Sequence, residues 1–91
     1  MPNLTILFVD DDTNILNYIF QVLAPLGHEI LTVESGREAM KMLEKRFFDV
    51  VITDFELHDT VDGLSILEYA KKKWPQLNPT IFSIIRKNFC N

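Results

Sequence analysis

Apolar residues recur along this chain in two alternating rhythms. Leu4 to Val9 is a short, nearly continuous apolar run, the mark of a strand covered on both faces. From Thr13 to Leu23 the apolar positions Ile15, Leu16, Ile19, Phe20 and Leu23 fall at helical spacing. Asp12 or Thr13 can cap that helix, and Pro25 with Gly27 marks its exit. Glu29 to Val33 is short and β-branched and predicts a second strand. Ser35 followed by Glu38 is a capping box, opening a helix with Ala39, Met40, Leu43 and Phe47 on one face. Its two methionines suit gap-filling in a core. Asp49 to Thr53 (DVVIT) predicts a third buried strand, ending at Asp54. The polar loop FELHDTVDG leads to a helix from about Leu64 to Lys73, with Asp62 at its cap and Trp74-Pro75 at its end. Thr80 to Ile85 predicts a fourth strand, followed by the short tail RKNFCN.

Strict strand–helix alternation implies a parallel sheet with helices on both faces and right-handed crossovers. Ninety-one residues hold one domain, 1–91, with no repeat, linker or low-complexity segment. A hydrophobic fraction of 47% and a mean hydropathy of +0.07 fit a globular core and exclude a disordered chain. No stretch approaches a membrane span, and MPNLT is no basic signal-peptide start. The single cysteine, Cys90, has no disulfide partner and no metal-ligand spacing, so a reducing cytoplasm is expected. A net charge of −4 argues against nucleic acid as partner, because affinity there rests on cations neutralising phosphates. Lys71, Lys72 and Lys73 form the compact basic run, and they read as the solvated, dipole-favoured last turn of a helix.

The acids carry the candidate chemistry. In open parallel sheets ligands bind beyond the carboxyl ends of the strands. Asp10, Asp11 and Asp12 follow the first strand and Asp54 follows the third. If those strands are neighbours, carboxylates from two distant stretches converge. Uncompensated, they repel and strain the fold. A hard cation relieves that repulsion, and Mg²⁺ prefers one or two carboxylates with waters and phosphate oxygens. A carboxylate beside such an ion is placed to attack a phosphoryl group and form an acyl phosphate. The blander reading is solvated strand ends.

ILFVDDD, VESGREAM, DVVITD, DGLSIL and NPTIF, in this order, resemble the receiver domain of two-component response regulators over essentially the whole chain. The resemblance implies a flavodoxin-like doubly wound α/β sheet, here with four strands in the order 2-1-3-4 and three helices. It implies Asp54 as phospho-acceptor, Asp11 as a direct Mg²⁺ ligand, Asp10 as its acidic neighbour and the Glu56 backbone carbonyl as a further ligand. Asp12 matches a less constrained position, where capping is expected. A histidine kinase or phosphotransfer protein would be the donor. The domain would be a phosphorelay module and no enzyme in the ordinary sense.

Three departures qualify that expectation. Gly63 lies nine residues after Asp54 instead of the family's eight, and His58 and Asp59 stand where a proline is usual. His58 reads as an exposed loop residue. The position of the family's switch hydroxyl is Ile84, with Ser83 adjacent but turned to the opposite face. The chain is also expected to be truncated at its C-terminus, without a fourth helix, fifth strand, fifth helix or the phosphate-pairing lysine, for which Lys87 is no substitute. TIFSII would then form an exposed apolar edge inviting self-association. Two alternatives remain: a phosphorylation-independent assembly module on the same scaffold, and a fragment of an aspartate-nucleophile phosphatase. Asp10 and Asp12 fit the opening D-x-D of the latter, but Asn14 stands where it needs threonine.

Overall fold

The computed structural model describes residues 3–54, 57 and 61–75, and the backbone of 82–85. Its elements are β1 (Thr5–Val9), α1 (Thr13–Leu23), β2 (Glu29–Val33), α2 (Gly36–Lys45), β3 (Val50–Asp54), α3 (Gly63–Lys73) and β4 (Phe82–Ile85), with one 3₁₀ turn (Ala24–Leu26) after α1. Gly27 closes that turn at φ 96°, a left-handed conformation that glycine adopts without steric cost.

All strand pairings are parallel, in the order β2-β1-β3-β4. Side chains alternate across the sheet, so Leu7, Val9 and Val51 point to one face. There they join Ala39 and Leu43 of α2, Ile66 and Ala70 of α3, and Phe48 and Leu57 in one buried cluster. Ile6, Phe8, Ile30 and Leu16 are also buried but lie outside that cluster, on the face that α1 covers. Each fully buried Leu, Ile or Phe side chain contributes about 1.5–3 kcal/mol over an exposed one.

The helices begin where short polar side chains can take up orphan N–H groups. Asp12 caps α1 by accepting from Asn14 N–H at 3.0 Å. Ser35 Oγ accepts from Glu38 N–H at 3.2 Å, while Glu38 Oε1 reaches back past the cap to Glu34 N–H at 3.0 Å. Asp62 accepts from Ser65 N–H at 2.9 Å to start α3. The Lys71–Lys73 run does occupy the last turn of α3, exposed and favoured by the helix dipole.

One packing expectation fails. Phe47 does not share the face of α2 with Ala39 and Leu43, because the helix stops at Lys45 and Arg46 is extended. The reversal exposes Phe47 and sends Phe48 into the core with no accessible surface. Phe47 instead meets Trp74 edge-on, ring centroids 5.5 Å apart, and Trp74 Nε1–H donates to Leu43 O at 3.2 Å. Met42 packs against the core and Met40 is half-buried.

Candidate functional site

Strand register brings the acids together. Val9 pairs with Thr53, so the next residue on each strand, Asp10 and Asp54, lies side by side at the carboxyl end of the sheet. Both are almost wholly buried, at 1% and 2% exposure, and Asp11 is half-buried above them. One carboxylate oxygen from each of the three lies within 4.8 Å of the other two. An octahedral Mg²⁺ shell at about 2.1 Å sets its oxygens about 3–4 Å apart, so a small side-chain adjustment or one intervening water suffices. The all-oxygen, acidic donor set is of the kind this hard cation prefers.

Local structure holds the cluster in place. Asp10 N–H donates to Val33 O at 3.1 Å, tying the end of β1 to the end of β2. Asp10 Oδ1 accepts from Asp12 N–H at 2.9 Å, turning the chain into α1. Asp12 is thereby used in the turn and the cap, outside the three-carboxylate group. Behind Asp54, Thr53 Oγ1 donates to the Asp54 carbonyl oxygen at 3.0 Å. Gly63, at the start of α3, abuts that same carbonyl so closely that a Cβ would overlap it. Sequence reasoning missed this buttress: the Asp62-Gly63 pair was legible as a spacing marker, whereas its contact with β3 depends on how α3 docks.

The opposite end of the sheet shows a second use of acid that the sequence did not announce. Asp49 Oδ2 accepts from Thr5 N–H at 2.9 Å, and Asp49 N–H donates to Thr5 O at 2.8 Å. His28 Nδ1 accepts from Leu4 N–H at 3.2 Å. The Asp49 bonds tie the start of β1 to the residue before β3, and the His28 bond ties Leu4 to the residue before β2. Among titrating groups near the site, Asp62 is held below the ordinary carboxylate range, first by the Ser65 backbone N–H and then by the Ser65 hydroxyl.

Glu56, His58, Asp59, Lys87 and Cys90 lie outside the described residues. Backbone pairing sets Ile84 opposite Thr53 and Ile85 opposite Asp54. Among the described residues, no helix is long and apolar enough to cross a membrane.

The family model described as response regulator receiver domain matches residues 6–89. The chain is 34% identical over 84 residues to a putative NtrX-like response regulator of Rickettsia felis, covering 91% of the chain and 18% of that protein. It is 33% identical over 70 residues to the transcriptional regulatory protein GlrR of Escherichia coli, covering 77% of the chain and 16% of that protein. It therefore spans less than a fifth of these relatives. A solved receiver domain protein from Methanospirillum hungatei superposes with a TM-score of 0.80 at 25% identity, over 98% of this chain and 85% of that one. The signal receiver domain of an HD domain-containing protein from Pseudomonas fluorescens gives 0.83 at 24% identity, over 98% and 68%, a likeness of fold.

Proposed function

Because the chain belongs to the response regulator receiver domain family, and so to phosphorelay signalling, we propose that it accepts a phosphoryl group on Asp54, with Mg²⁺ held by Asp10, Asp11 and Asp54. The observation that carries this reading is the convergence of three carboxylates, two of them buried, from strand ends 44 residues apart in sequence (54 − 10). The Glu56 backbone carbonyl remains part of the proposed ligand set. When bound, Mg²⁺ neutralises the carboxylates and the phosphate oxygens that approach them.

The donor in this reading is a phosphohistidine of a histidine kinase or phosphotransfer protein. A carboxylate oxygen of Asp54 attacks phosphorus in line, forming the O–P bond of an acyl phosphate. The P–N bond breaks, its electron pair stays on the departing imidazole nitrogen, and that nitrogen takes a proton from solvent. The Thr53 hydroxyl and Gly63 hold the main chain of Asp54, while burial limits the carboxylate's choice of orientation. Asp54 is consumed in the step, so the module is a phosphoryl carrier rather than an enzyme.

The test is intact mass after incubation with Mg²⁺ and a small-molecule phosphodonor, with Asp54→Asn and a chelator as controls. A phosphoryl adduct absent from both controls is expected. No adduct on a chain that circular dichroism shows to be folded refutes the reading.

A second reading, a phosphorylation-independent assembly module, is favoured by Ile84, whose backbone is in register with Thr53 where the family's hydroxyl is expected. In it β4, which pairs only with β3 among the described residues, adds to a second chain. Sedimentation would then show an oligomer indifferent to Mg²⁺ and to Asp54→Asn.

A further inference from the structure

Two glycines on different helices form a main-chain stack behind Asp54. Gly63, the first residue of α3, leaves no room for a Cβ between itself and the Asp54 carbonyl oxygen, and Thr53 Cγ2 would stand 3.2 Å from that Cβ. Gly36, the first residue of α2, meets Val61 in the same way. A Cβ there would overlap the Val61 carbonyl oxygen and come within 2.7 Å of the Val61 Cβ. Val61 precedes Gly63 by two residues, with the capping Asp62 between them.

We propose that Gly36 is a positioning residue for the acceptor site, acting through Val61 and Gly63 on the main chain of Asp54. The proposal rests on the reading of Asp54 as acceptor. At both glycines the nearest atom is a backbone carbonyl oxygen, which cannot rotate away as a flexible side-chain end can. The Asp62–Ser65 bond ties Val61 to the first turn of α3, so a push on Val61 moves that turn and the Gly63 contact with it. The Asp54 carbonyl oxygen is bonded by the Thr53 hydroxyl and abutted by Gly63, so it follows. Gly36 is not in a left-handed conformation, and alanine is the better helix former. The perturbation from Gly36→Ala therefore enters through Val61 alone.

The experiment compares wild type, Gly36→Ala and Leu43→Ala, a core substitution on the same helix that destabilises without touching Val61's backbone. Calorimetric Mg²⁺ binding and phosphorylation by a small-molecule donor are read on samples whose folded fraction is known from circular dichroism. A positioning role predicts Mg²⁺ affinity about fivefold weaker and phosphorylation about tenfold slower in Gly36→Ala, since sub-ångström misplacement of a reacting group costs rate steeply. Leu43→Ala keeps wild-type values per folded molecule. A purely structural role predicts that Gly36→Ala does the same, which overturns the proposal. Should Gly36→Ala not fold, amide exchange on the wild type decides. By reciprocity, Mg²⁺ must then slow exchange at Gly36 and Gly63, and no change at either overturns the proposal. Wild type that binds no Mg²⁺ refutes the acceptor reading and this proposal together. Wild type that binds it no better than folded Gly36→Ala overturns this proposal alone.

Discussion

Replacing Asp54 by asparagine should stabilise the metal-free protein even though it removes the proposed phosphoryl acceptor. The three carboxylate oxygens lie within 4.8 Å of one another. Two unit charges at that separation repel by about 3.5 kcal/mol at an effective dielectric of 20 and by about 0.9 kcal/mol in bulk water. Asp10 and Asp54 are both buried, so their pair stands near the upper figure, and the pair with half-buried Asp11 stands near the lower. Exchanging a charged acceptor for a neutral amide weakens the hydrogen bonds of Asp54 by about 1–2 kcal/mol. The net expectation for Asp54→Asn is a gain of about 3 kcal/mol, or a rise in Tm of roughly 12–24 °C for a domain of this size. Thermal denaturation followed by circular dichroism in chelator reads the gain directly. Added Mg²⁺ should then raise the wild-type Tm, because a ligand that binds only the folded state stabilises it by mass action, and should leave Asp54→Asn nearly unchanged. An asparagine variant that melts at or below the wild type in chelator would show that the mutual repulsion of the acids does not outweigh the bonds that Asp54 loses.

Three further outcomes test the surrounding structure. Trp74→Phe keeps an aromatic ring against Phe47 but leaves Leu43 O without its 3.2 Å donor, and urea unfolding should show a loss of about 1 kcal/mol. Phe48→Ala empties a fully buried site and should cost about 3–5 kcal/mol, enough to leave little folded protein at 37 °C by calorimetry. Asp62→Ala removes the cap of α3 and should cost about 1 kcal/mol at neutral pH. The folded-state pKa of Asp62 is depressed, so its ionic contribution is present above the unfolded value and lost as pH falls through the folded one. Urea midpoints of wild type and Asp62→Ala should therefore converge on acidification through that window, and a constant gap would contradict the assignment.

What could be read from the sequence was local. The apolar runs and short polar caps gave α1 and β2 with the bounds the structure shows, because strand and helix periods and N-cap chemistry are written within a few residues. Asp10, Asp11 and Asp54 could be singled out because each follows a strand, but their meeting depends on β1 lying beside β3 in the register Val9–Thr53. At the other end of the sheet Asp49 bonds Thr5 from the β3 side and His28 bonds Leu4 from the β2 side, contacts 44 and 24 residues apart in the chain that no local pattern announces. Phe47 looked like a core residue because the helical period runs on through it. The break at Arg46 shifts the frame by one residue and selects Phe48. Gly36 and Gly63 carried no visible signal of their packing, since a glycine needed for close approach looks in sequence like any glycine at a helix start.

Asp54 is proposed to carry the phosphoryl group in a metal-dependent step. Borohydride reduces an aspartyl phosphate to homoserine, so peptide mass spectrometry after treatment with phosphodonor, Mg²⁺ and borohydride locates the acceptor. Homoserine is expected at position 54 of the wild-type chain, and its loss when the metal is chelated. Modification at another carboxylate, or at position 54 regardless of Mg²⁺, would contradict it.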